Sequence, residues 1–201
     1  MRDLEIRGAG NVLGPEQHGH MDAVGYDMYC KILNESIREA QGLPVEEDTA
    51  VSVDLSVDAY LPERYIPDHN QRIDMYKRIA AIDSEEDKLE LCDELIDRYG
   101  DIPRAAANIL EIARIKSRVR ALGGVELIQT GQKLTLKFLP DKADIKMMLA
   151  LEQGFPGRVR IIAAESPAVS IMLPRSAKPL ESAAAMIDTL EKAAQKGDDE
   201  K

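Results

Sequence analysis

Few residues in this 201-residue chain have the types and spacing that chemistry needs. The first candidate is a glycine run, Gly8-Ala9-Gly10-Asn11-Val12-Leu13-Gly14. A dinucleotide-binding turn needs glycine at the sixth place of such a run, and that place holds Leu13. No second strand–helix unit follows soon enough to complete the motif, and no GxxxxGK[ST] phosphate cradle occurs in the sequence. His18 and His20 flank Gly19, and the third histidine, His69, lies far along the chain. A metal centre needs a third and fourth ligand and groups that orient them, so the two read as polar turn residues. Cys30 and Cys92 have neither disulfide-framework nor zinc spacing. No serine or cysteine stands beside a histidine and an acid in a recognisable nucleophilic arrangement. The expectation is a chain with no metal, cofactor or catalytic centre of its own.

Charge is more informative than nucleophiles. Residues 83–101 hold nine acids and two bases, a net of −7. Residues 102–124 hold five bases and one acid, a net of +4. Two readings stay open: the acidic and basic segments neutralise each other, or the acidic face docks a basic partner surface. Glu94 and Asp97 lie three apart and share a helical face, away from Cys92, Leu95 and Ile96, with Glu90 and Asp93 adding to the same rod.

The elements that must carry these residues follow from periodicity. Four-residue repeats from Val24 to Ile37 predict a helix, ended by Gly42 and Pro44. An acidic linker covers 43–50. Strict alternation over 51–61 predicts a strand with one buried face, stopped by Pro62. A helix is expected over 68–82. Ser84 with Asp87 three residues on approximates a capping box for the next helix, whose expected buried stripe is Leu89, Cys92, Leu95, Ile96 and Tyr99. Gly100 ends it, and Pro103 suits the first turn of a third helix running to Leu122. Gly131-Gln132 joins two strands into a hairpin. A helix over 141–153, strands over 158–163 and 168–173, and a final helix over 180–194 complete the order. Strands and helices are segregated, so the fold class is α+β with a mostly antiparallel sheet and several helices. The expected division is a helical appendage over 1–42 and a compact α+β domain over 43–201.

Composition narrows the classes further. There are 26 basic and 36 acidic side chains, a net of −10. That balance disfavours a free-standing nucleic-acid grip, which needs positive faces to displace counterions from phosphate. With no Trp and two Phe, the core must be aliphatic. No apolar run is long enough to span a membrane, and MRDLEIRGAG lacks the hydrophobic centre of a secretory leader. That opening reads as the interior of a longer chain, and a reducing, cytoplasmic setting is expected.

The stretch DLEIRGAGNVLGPEQHGH, at 3–20, resembles the translocation (TRG) motif shared by RecG helicases and the transcription-repair coupling factors. VGYDMYCKILNESI (24–37), LPERYIPDHNQRIDMYKRIA (61–80) and ELIDRYGDIP (94–103) resemble the coupling factors, the Mfd family; RecG has no such C-terminal domain. The resemblance implies an ATP-dependent double-stranded DNA translocase of bacteria that displaces stalled RNA polymerase and recruits UvrA. It makes 1–42 the end of the second motor domain and 43–201 a regulatory domain, with the ATP and magnesium site in upstream motor domains. It assigns translocation coupling to Arg7 and Gln17, with Gly8 and Gly14 in the same motif. His18 departs from the serine common there. It assigns protein interaction to Glu94 and Asp97, with Glu90 and Asp93 beside them, as an autoinhibitory latch on an intramolecular UvrB-like module that covers the UvrA-binding surface. The alternatives are a DNA-contacting accessory domain of a RecG-like helicase and an unrelated small soluble enzyme using the glycine loop.

Overall fold

The computed structural model describes residues 51–199. Arg7, Gly8, Gly14, Gln17, His18, His20 and Cys30 lie outside the described residues, as does the expected appendage over 1–42. The described part is α+β: a five-stranded sheet, antiparallel except for one pair, with three helices after the first strand, two short ones between the third and fourth strands, and one at the end.

Strand β1, Ser52–Asp54, is much shorter than the alternation over 51–61 predicts. The alternation does bury Val51, Val53 and Leu55. Beyond Leu55 the backbone finds partners outside the sheet. Val57 N–H donates to the Leu55 carbonyl at 2.7 Å, Tyr60 N–H to Ala105 at 3.2 Å, and Leu61 N–H to the Tyr76 hydroxyl at 2.8 Å. Asp58 offers its carbonyl to the Asn108 amide at 2.8 Å. Buried backbone groups must be paired, and here the third helix and Tyr76 replace a neighbouring strand.

Helix α1, His69–Ala80, starts where the Asp68 carboxylate accepts from Gln71 N–H at 2.8 Å. Helix α2, Glu85–Tyr99, has the full capping box: Asp87 N–H donates to Ser84 Oγ at 3.0 Å and Ser84 N–H to Asp87 Oδ2 at 2.8 Å. Gly100 ends it at φ +81°. Helix α3, Arg104–Ala121, follows Pro103, packs against β1 and the following strand, and buries Ile109, Ile112, Ile115 and Val119.

Strands β2, Gly124–Thr130, and β3, Lys133–Phe138, form the expected hairpin. Its loop places Gly131 at φ +59°, where a side chain would be strained. Gly124 is required for a different reason: a Cβ there would meet Val119 Cγ1 at 2.6 Å and Leu136 Cδ1 at 3.0 Å, between α3 and the sheet. The expected helix over 141–153 is two short segments, α4 (Ile145–Leu149) and α5 (Leu151–Gly154). Strands β4, Val159–Ile162, and β5, Ala168–Met172, and helix α6, Pro179–Asp199, complete the order.

The sheet order is β1-β2-β3-β5-β4, with β1 parallel to β2. One row of paired residues, Val53, Leu127, Leu136, Val169 and Ile161, crosses all five strands. The three inner members are fully buried, and the row is the spine of the core. The core is aliphatic as composition requires, with Phe138 its one fully buried aromatic ring among the described residues.

Candidate protein-docking site

Helix α2 is positioned from both sides. Leu91 and Leu95 enter the core at 4% and 0% exposure. Tyr65, from the loop before α1, donates its hydroxyl to the Leu95 and Gly100 carbonyls at 3.2 and 3.1 Å and so ties down the C-terminal end of α2. Buried Arg72 holds that loop in turn, donating to the Ile66 and Pro67 carbonyls at 2.6 and 3.2 Å.

The buried stripe expected for α2 is corrected here. Leu89 and Ile96 are 54% and 48% exposed, whereas Cys92 and Tyr99 are half-buried and Leu91 and Leu95 face the core. At about 100° per residue, Leu89 and Ile96 lie roughly 100–120° round the axis from Leu95. The apolar residues of α2 span more of its circumference than α1 and α3 cover.

The acids of α2 separate into two groups. Glu85 pairs with Lys88 at 2.7 Å and with Arg114 of α3 at 3.4 Å, and these neighbours lower its pKa. Asp87 is spent in the capping box, whose hydrogen bonds hold its carboxyl below the usual range. Glu94 takes a bidentate bond from Arg78 of α1 and a second arginine, Arg98, at 2.9 Å. The Arg78 hydrogen bond first, then that of Arg98, pulls its carboxyl down to about 2. The carboxylates of Glu86, Glu90, Asp93 and Asp97 make no hydrogen bond or ion pair with the described residues, and all four residues are exposed. Their spacing of four, three and four sets them in one line along the outer face of the helix. Of the four interaction residues expected from sequence, the structure brings Glu90, Asp93 and Asp97 together on this line. It puts Glu94 at the edge of the line, engaged with α1.

The basic helix α3 is largely occupied. Arg118 donates to Glu191 first and also to Asp188, both of α6, and these hydrogen bonds raise its pKa. Arg120 lies 3.9 Å from Asp83, and Lys88 of α2 reaches Glu111 at 3.0 Å. Some charges therefore neutralise across the α2–α3 seam, whereas the carboxylates of Glu86, Glu90, Asp93 and Asp97 are not engaged there. Sequence reasoning missed Arg78, because its contact with Glu94 spans 16 residues and two helices. Burial pushes the Cys92 thiol up, which keeps it in the unreactive protonated form. Among the described residues no cluster of His, Cys, Asp and Glu could hold a metal ion, and no helix is long and apolar enough to cross a membrane.

Comparison with known proteins gives this geometry its setting. The TRCF domain family model matches residues 55–148, which include α1, α2 and α3. A transcription-repair-coupling factor of Staphylococcus epidermidis is 39% identical over 197 residues, 95% of this chain and 17% of that protein. Its counterpart in Staphylococcus haemolyticus is 43% identical over 150 residues, 73% of this chain and 13% of that protein. The Staphylococcus aureus protein is 37% identical over 198 residues, again 95% of this chain and 17% of that protein. The chain thus spans about one-sixth of the length of these curated relatives. The crystal structure of the C-terminal domain of a transcription-repair coupling factor shares the fold, with a TM-score of 0.65 at 24% identity over 73% of this chain and 95% of that one. With likeness to these proteins along nearly its whole length, and with their C-terminal-domain fold over its described residues, the chain belongs to the transcription-repair coupling factor family.

Proposed function

We propose that this segment is a non-catalytic docking and regulatory part of a transcription-repair coupling factor. In this reading the outer face of α2 binds a basic surface on the UvrB-like module of the same protein and holds the protein closed toward UvrA. Residues 3–20 couple ATP hydrolysis in the motor domains to translocation, with Arg7 and Gln17 as the directional hydrogen-bonding groups, while RNA polymerase and double-stranded DNA are contacted by other domains.

The observation that carries the docking reading is the line Glu86, Glu90, Asp93 and Asp97. Glu86 lies in the first turn, where negative charge favours the helix dipole, but Glu90, Asp93 and Asp97 lie beyond that turn and repel one another along one face, which costs the fold stability. A basic partner turns that cost into orientation and steering. The same line repels phosphate, and Arg114 and Arg118 of the neighbouring basic helix already have acidic partners. Both facts count against the DNA-contacting alternative.

The test is Glu90→Lys, Asp93→Lys and Asp97→Lys together in the full-length protein, read as affinity for UvrA. A latch worth about 1–3 kcal/mol predicts a gain of roughly 5- to 150-fold. Unchanged UvrA affinity refutes the latch. Glu94 is left intact because reversing it would also break its contact with Arg78. For the coupling segment, Arg7→Ala should leave ATP hydrolysis in place and abolish translocation on DNA; intact translocation refutes that assignment.

A further inference from the structure

We propose that the α2 docking face is anchored by Leu89 and Ile96, and that its partner is a protein surface with an apolar slot rimmed by lysines and arginines. The proposal rests on the reading of α2 as a docking face and adds what holds the partner there.

The two side chains are 54% and 48% exposed, although Leu91 and Leu95 already close the inner side of the helix. A single exposed leucine is ordinary on a protein surface. These two form a unit. They are seven residues apart, about 10 Å along the axis at 1.5 Å per residue. Asp93 stands between them, four residues after Leu89 and three before Ile96, so the aliphatic pair runs directly beside the acidic line. The face therefore has two parallel strips, one of unpaired carboxylates and one of half-exposed aliphatic side chains. A nucleic acid or an anionic membrane would be repelled by the first strip, and a purely ionic protein surface would leave the second in water. A protein surface with positive charge beside an apolar slot satisfies both.

The two strips should act on different steps. Exposed charges govern encounter and are screened within a Debye length of about 8–10 Å at ordinary salt. Buried aliphatic contact governs the lifetime of the complex. Added salt should slow association, and shortening Leu89 and Ile96 should speed dissociation.

The experiment titrates the 201-residue chain with two synthetic helical peptides. Both carry the same row of lysines and arginines; one has leucines seven residues apart beside that row, and the other has glutamines there. The leucine peptide should bind about tenfold or more tightly than the glutamine peptide, by burying the two side chains. Leu89→Ser with Ile96→Ser should erase that difference while the thermal midpoint stays near that of the parent. Equal binding of the two peptides, no binding of either, or a difference that survives the double variant overturns the proposal. The triple reversal Glu90→Lys, Asp93→Lys, Asp97→Lys separates the two ideas. If it weakens both peptides while they bind equally, the acidic docking face stands and the apolar anchor falls. If it changes neither, the docking face itself falls.

Discussion

Changing the acids of α2 one at a time should move stability in opposite directions, according to what each touches. Glu94 is held by Arg78 and Arg98, and its carboxyl is pulled to about 2 from 4.5. A shift of that size corresponds to about 3 kcal/mol if nothing screens it. The guanidiniums are 48% and 45% exposed, and exposed pairs retain about 1 kcal/mol or less, so Glu94→Gln should cost about 1 kcal/mol at pH 7. Because the folded carboxyl is the more acidic, that contribution is complete above the unfolded value of 4.5. It is lost as pH falls from there toward 2, so the gap between Glu94→Gln and the parent should close over that window. Asp93→Asn should do the reverse at pH 7: it removes a like-charge neighbour from Glu90 and Asp97 and should stabilise by a few tenths of a kcal/mol. The assay is urea denaturation followed by circular dichroism, at pH 7 and at steps down to pH 2.5. Arg78→Ala and the double variant close a cycle that isolates the pair. A Glu94→Gln cost that persists unchanged at pH 2.5, or an Asp93→Asn that destabilises as much as Glu94→Gln, refutes the division of the acids into engaged and free.

Other changes test the scaffold that presents this face. Gly124→Ala should cost about 1–3 kcal/mol in thermal or urea denaturation, because the new methyl group falls 2.6 Å from Val119 Cγ1 in a filled core. Ser84→Ala removes one half of the capping box and should cost about 0.5–2 kcal/mol, with faster amide exchange in the first turn of α2. Arg72→Met leaves the Ile66 and Pro67 carbonyls without their guanidinium and should destabilise by about 1–3 kcal/mol, again by denaturation.

Much of this architecture is written locally in the chain. Ser84 and Asp87 announce the start of α2, Gly100 its end, and Gly131 the hairpin, since each needs only its near neighbours to act. The three-residue length of β1 is not local: whether Val57 to Leu61 continue a strand depends on Ala105, Asn108 and Tyr76, which supply their hydrogen bonds from elsewhere. The parallel pairing of β1 with β2 depends likewise on three intervening helices. For α2, apolar residues at 89, 91, 92, 95, 96 and 99 allow several buried arcs, and periodicity alone cannot choose among them. The packing of α1 and α3 makes the choice, leaving Leu89 and Ile96 outside. Charge counting located the acidic helix but not the identity of its free acids. Spacing alone groups Glu94 with Asp97, whereas Arg78, on another helix, engages it. The candidate site was thus legible as a region, and became a specific set of residues only through tertiary contacts.

Everything proposed for α2 depends on its unpaired acids forming a docking face for a basic protein surface. It is tested by titrating this chain with the UvrB-like module proposed as its partner, parent against the Glu90→Lys, Asp93→Lys, Asp97→Lys variant, at low and at high salt. The parent should bind saturably, more weakly as salt rises, and the variant should lose at least tenfold in affinity at low salt. Equal affinity of parent and variant for the module would contradict it.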